Sequence, residues 1–235
     1  MHVLLLVMLL GGTGLRAESL PEWLIPLREA IYEQQLSADE VRPLYETAKT
    51  SAREHSFGAE LDLALSRCEY FMGRVLQFDK RNNEASVHYT EGMRLAEKSI
   101  ETTPSAGAWQ MLAENLSQNC AIRSTAYVMA NGLNVEKYAK NALAMNRRNA
   151  AAQYIVAARW VFAPSPFHNH RRGIQMMEDI LSNGDLEKDD RFNVHLAIGY
   201  AYIQQRKYAD ARPWLLQSLE IYPTNKYARE LLEKR

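Results

Sequence analysis

After residue 18 the apolar side chains recur at spacings of three and four along almost the whole chain, and hardly any stretch alternates apolar with polar. That is the period of a helix with one buried face rather than of a strand. The pattern predicts an all-α protein built as helix after helix. Start signals agree with it: Ser19, Pro21 and Glu22 supply a cap, a first-turn proline and the acid of a capping box, and Ser37 with Glu40 repeats the box. Two leading helices are expected near residues 20–36 and 38–55. Pro43 falls inside the second, whose regular part is expected to begin only after Asp39.

The C-terminal third carries a more specific pattern. Ile198, Gly199 and Tyr202 are followed by Tyr208, Ala211, Leu215, Leu219 and Pro223. Small residues such as Gly199 and Ala211 let two paired helices approach closely, large ones fill the flanking holes, and Pro223 ends the second helix. In this arrangement the segment resembles the tetratricopeptide-repeat (TPR) family, with Phe192 at the first position of a unit of about 34 residues. Laid along the chain, the same template finds three weaker copies. Met72, Gly73, Leu76, Ala85 and Tyr89 fit one starting at Ser66. Trp109, Leu112, Ala113, Leu116, Val135, Ala139, Ala142 and Leu143 fit one starting at Ala106. Val156, Ala157, Trp160, Gly173, Met177, Ile180 and Leu181 fit one starting at Ala150.

The resemblance thus implies a TPR-type helical-hairpin solenoid with about four divergent repeats, near 66–104, 106–148, 150–184 and 192–225, behind the two leading helices. The extra length is expected in a long helix over Glu84 to Glu101 and in insertions around 121–132 and 163–172. A last helix, Asn225 to Arg235, is charged on one face as a terminal cap should be. TPR arrays line a concave groove with fixed positions of each first helix. Carried over, these are Arg67, Tyr70, Arg74 and Gln77, then Gln110, Glu114 and Gln118, then Tyr154 and Ala158, then Asn193, Tyr200 and Gln204. Such a polar and aromatic lining suits a protein or peptide partner.

Composition narrows the partners. Lys plus Arg and Asp plus Glu both count 28, so no basic excess is present to collect phosphates, and nucleic acid is not expected. Residues 1–17, MHVLLLVMLLGGTGLRA, read as a signal peptide, with an apolar run from Val3 to Leu10 and a small residue at Ala17. That run is about half the roughly 20 residues a helix needs to cross a bilayer. An exported protein is expected, periplasmic or extracytoplasmic, with residues 18–235 as a single helical domain and no stable membrane insertion after signal cleavage.

Candidate chemistry is sparse. No nucleophile elbow, metalloprotease helix or phosphate-binding glycine loop occurs, and neither an enzyme nor a cofactor is expected. His168 and His170, in a proline-containing loop, offer two imidazoles to a metal without a nearby acid or thiol, and a solvated insertion is the simpler reading. His55, His88 and His195 stand alone on predicted helices. Asn115, Leu116 and Ser117 spell a glycosylation sequon inside a predicted helix, where the acceptor is poorly placed. Cys68 and Cys120 fall twelve repeat positions apart on neighbouring parallel helices, roughly 18 Å along the axis, too far for a bridge that needs Cα atoms within about 7 Å.

Two looser resemblances bear on the partner. Tyr89, Glu91, Gly92, Ala96, Glu97 and Lys98 leading into Pro104 look like a TPR subgroup of exported bacterial proteins and eukaryotic regulators of microtubule dynamics. The run Arg159, Trp160, Phe162, Ala163 and Pro164, then Gly173, is similar to the T components associated with TRAP transporters. The leading expectation is a non-enzymatic scaffold or adaptor holding a protein partner in its groove, in an envelope assembly or a solute-uptake system. The alternative is a small-ligand carrier whose array closes around an apolar tunnel lined by Tyr154, Trp160, Phe162 and Phe167.

Overall fold

The computed structural model describes residues 20–183 and 186–234, so the expected signal segment and the Ser19 cap lie outside the described residues. Within them the chain forms eleven α-helices and no strand. They are α1 (Ile25–Glu33), α2 (Ala38–His55), α3 (Gly58–Phe78), α4 (Asn82–Thr102), α5 (Ala106–Ile122) and α6 (Thr125–Met145). The second half comprises α7 (Ala150–Phe162), α8 (His170–Asn183), α9 (Lys188–Gln204), α10 (Tyr208–Ile221) and α11 (Lys226–Leu232).

Short polar residues set the starts. Ser37 and Glu40 form the expected capping box on α2, with the Ser37 amide donating to Glu40 Oε2 at 2.9 Å. The side chains of Ser105, Ser124, Asn149 and Asn225 accept from the backbone at the starts of α5, α6, α7 and α11, satisfying amides that a helix leaves orphaned. Several boundaries differ from the sequence reading, the last helix among them, since α11 stops at Leu232. The first leading helix opens as a 3-10 turn at Glu22–Leu24 and stops at Glu33, because Gln34 turns into the left-handed region with φ 53°. Pro43 sits in the second turn of α2 without delaying its start. The insertion expected near 121–132 is mostly helical and gives α6 its 21 residues.

Each helix from α2 to α11 packs against the one before it, and α3, α5, α7, α9 and α11 also touch one another in succession. Small residues permit the close pairs. A Cβ at Gly73 would lie 2.6 Å from Cε1 of Tyr89, and one at Gly199 would lie 2.6 Å from Cδ2 of Leu215. Ala85, Ala113, Ala139, Ala157 and Ala211 are fully buried at the same kind of contact.

Residues near the two ends of the described chain meet. Arg28 Nη1 donates to Asp189 Oδ1 at 3.2 Å, Tyr222 OH donates to Glu29 Oε1 at 2.9 Å, and Asn225 Nδ2 donates to the Tyr32 carbonyl at 2.7 Å. The left-handed Gln34 receives the Lys226 amide on its side-chain oxygen at 2.9 Å. That bond helps offset a backbone conformation costing about 1–2 kcal/mol for a residue with a Cβ. Beneath these polar contacts the Tyr32 ring stacks on Tyr222 with centroids 4.9 Å apart and meets Phe192 edge-on at 5.4 Å. Phe192 and Tyr222 consequently belong to the same apolar core as α1 to α5. These contacts form a clasp of α1 against the N-terminus of α9 and the segment before α11.

Candidate functional site

A cavity of about 790 Å³ lies against the inner helices, walled by residues of α1, α3, α5, α7 and α9 and by the clasp. Most of the sequence-derived groove set faces it. Arg67, Tyr70, Arg74 and Gln77 come from α3, Gln110, Glu114 and Gln118 from α5, Tyr154 and Ala158 from α7, and Asn193 from α9. Tyr200 and Gln204 lie elsewhere: Tyr200 packs against Phe162 with centroids 4.9 Å apart, and Gln204 is exposed at the end of α9. Those two positions are roughly two and three turns beyond Asn193 along α9.

Of the four aromatics expected around a tunnel, Tyr154 and Phe162 line the cavity. Trp160 instead lies under the Arg172 guanidinium, 4.1 Å from ring centroid to cation, and Phe167 is an exposed loop residue. The wall is also more polar than an apolar tunnel, since α1, α3, α5 and α9 place seven charged side chains along it, from Arg28 to Asp190.

Those charges differ in their company. Arg28 is almost fully buried and sits between Asp189, Glu29 and Glu187, the last at 3.7 Å, although its Nε has no partner. Burial holds Asp189 above the usual carboxylate range despite that arginine. Asp190 is pushed up to about 8, by burial first and then by the neighbouring Asp189 charge. Its Oδ2 accepts from the Glu187 amide at 3.2 Å, closing a capping box on α9. Glu114 is pushed up to about 7 by burial and by Asp189, a rise that Gln110, Arg74 and Arg67 only partly oppose. Arg74 donates from Nη1 to the Tyr70 hydroxyl at 2.9 Å and lies over the Tyr70 and Phe78 rings, 5.8 and 5.3 Å from their centroids.

Outside the cavity, α2, α3 and α4 share a network that no local pattern announced. Glu69, almost fully buried, accepts from Tyr45 OH at 2.7 Å, His88 Nδ1 at 2.6 Å and Lys49 Nζ at 3.1 Å, and these bonds hold its carboxyl below the usual range against the opposing effect of burial. Cys68 beside it is a buried free thiol, raised to about 12 by burial, and Cys120 is free and half-buried. The sequon residue Asn115 is fully buried, with its Nδ2 donating to the Met111 carbonyl at 2.9 Å. His168 and His170 stack at 4.3 Å, and among the described residues no three His, Cys, Asp or Glu side chains are grouped to hold a metal.

The clasp residues Arg28, Tyr32 and Asp189 were not selected by the repeat template. A buried arginine and tyrosine in the short apolar helix α1 are the one visible hint, because such groups need partners that the helix itself does not offer. The chain matches no family model and no curated protein. Among the described residues no helix is long and apolar enough to cross a membrane.

Proposed function

We propose that this is an exported, TPR-type array that binds a small amphipathic molecule in the cavity beneath the clasp, as a carrier or sensor rather than as an enzyme. The observation carrying the reading is the clasp, which joins α1 to α9 and to the segment before α11 and walls off one side of the inner surface. A groove that receives an extended peptide needs open ends, whereas a cavity of about 790 Å³ falls in the range of roughly 300–1,000 Å³ usual for small-molecule sites. Its lining of tyrosine, phenylalanine, methionine and a few charged groups fits an apolar body with a polar end. The TPR assignment is supported by the succession of touching helices α3, α5, α7, α9 and α11 and by the buried small residues at template positions. Export is supported by the signal-like grammar of residues 1–17.

Titration with the uncharged fluorescent dye N-phenyl-1-naphthylamine tests the reading. One saturable site per chain is expected, and Ala158→Phe, which adds bulk on the α7 wall, should abolish it without unfolding the protein. Absence of saturable binding to the wild type would defeat the proposal. A second reading, a protein partner, is favoured by the exposed apolar residues Val128, Met129 and Leu133 on the first half of α6, and a pull-down lost on Leu133→Lys with the dye site intact would support it.

A further inference from the structure

The charged groups lining the cavity do not respond alike to poor solvation. A carboxyl group there can discard its charge by taking up a proton, and Glu114 and Asp190 are both shifted in that direction. A guanidinium has no such exit, since it stays protonated at any pH a protein meets. Arg28 solves the problem with carboxylate neighbours at 3.1 to 3.7 Å. Arg74 does not: its partners are the Tyr70 hydroxyl and the faces of two aromatic rings, and among the described residues no carboxylate is in ion-pair contact with it. It stands on the inner face of α3, against the cavity. A half-buried cation with no carboxylate in contact is poorly compensated, and the direct relief is an anion brought by the ligand.

The surroundings of Arg74 suit an acid group better than a free inorganic anion. The Tyr70 hydroxyl accepts from Arg74 and can donate its own proton to the same ligand oxygen. Beyond it the wall continues through Phe71, Met111 and Ile155, all largely buried and apolar. We propose that the cavity is selective for an amphipathic organic anion, with its acid group on Arg74 and Tyr70 and its apolar body along Phe71, Met111 and Ile155. This rests on the reading of the cavity as a ligand site.

The test compares two dyes of nearly the same shape, anionic 8-anilinonaphthalene-1-sulfonate and uncharged N-phenyl-1-naphthylamine, on the wild type, Arg74→Gln and the exposed control Arg171→Gln. Loss of a charge-assisted contact should weaken the anionic dye by about tenfold or more in Arg74→Gln. The neutral dye should stay within about twofold, and Arg171→Gln should bind both like the wild type. A competition on the wild type needs no variant: octanoate should displace the anionic dye at concentrations where 1-octanol does not. If neither dye binds, the cavity is not a ligand site and the reading beneath falls. If the neutral dye binds but Arg74→Gln leaves the anionic dye unchanged, or octanol competes as well as octanoate, the site stands and the selectivity for an anion is wrong.

Discussion

Truncating Tyr32 to alanine should both weaken and open the molecule. The ring is almost completely buried and belongs to the clasp rather than to one helix pair, lying 4.9 Å from Tyr222 and 5.4 Å from Phe192. Removing a buried aromatic side chain from a packed core costs about 3–5 kcal/mol. Tyr32→Phe separates packing from polarity, because it deletes only the hydroxyl that accepts from Asn193 Nδ2 at 3.0 Å, worth about 0.5–1.5 kcal/mol. Urea unfolding measures both losses, and small-angle scattering measures the opening. Tyr32→Ala should fall by about 3–5 kcal/mol, with an enlarged radius of gyration under native conditions and loss of dye binding. A loss below about 1 kcal/mol with unchanged scattering would mean that the ends do not hold each other, and the clasp reasoning would fail.

Three other outcomes follow from the packing and the charges. Gly73→Ala forces a Cβ into the Tyr89 ring, which is fully buried and anchored by its hydroxyl on Gln77 at 2.6 Å, so a loss of about 1–3 kcal/mol is expected in thermal or urea unfolding. Tyr45→Phe removes a donor to the buried Glu69 carboxylate and should cost about 1.5–3 kcal/mol, leaving dye binding intact. Glu114 and Asp190, raised to about 7 and about 8, bind more protons folded than unfolded, so their contribution makes stability fall as pH rises from ~4 through ~8. Asp190→Asn should flatten the upper part of that slope in urea unfolding at a series of pH values, and an unchanged slope would refute the assignment.

The helical architecture was readable because each helix carries its own apolar stripe and its own cap. Ser37 with Glu40 marked the start of α2, and Gly199 with Ala211 marked a close pair whose geometry demands small residues. Most inner residues followed from the register of a single repeat, as Arg74 and Glu114 show, because one helical period fixes which side chains share a face. The clasp was not readable. Its bonds join residues 161 to 193 positions apart, and nothing in the local pattern around Arg28 names Asp189 as its partner. Tyr200, placed in the groove by the template, instead packs against Phe162, a pairing that the repeat register does not specify. The insertion near 121–132 proved mostly helical, with Ala126, Val128, Met129 and Ala130 in the first turns of α6.

A ligand seated beneath the clasp should hold it shut, and hydrogen exchange on the wild-type protein with and without N-phenyl-1-naphthylamine reads this out. A ligand at ten times its dissociation constant stabilises the closed state enough to slow exchange through opening about tenfold. The account predicts that slowing in the amides of α1, the N-terminal turns of α9 and the start of α11, with none in the first half of α6. Unchanged exchange across the clasp with the dye bound, or protection confined to α6, would contradict it.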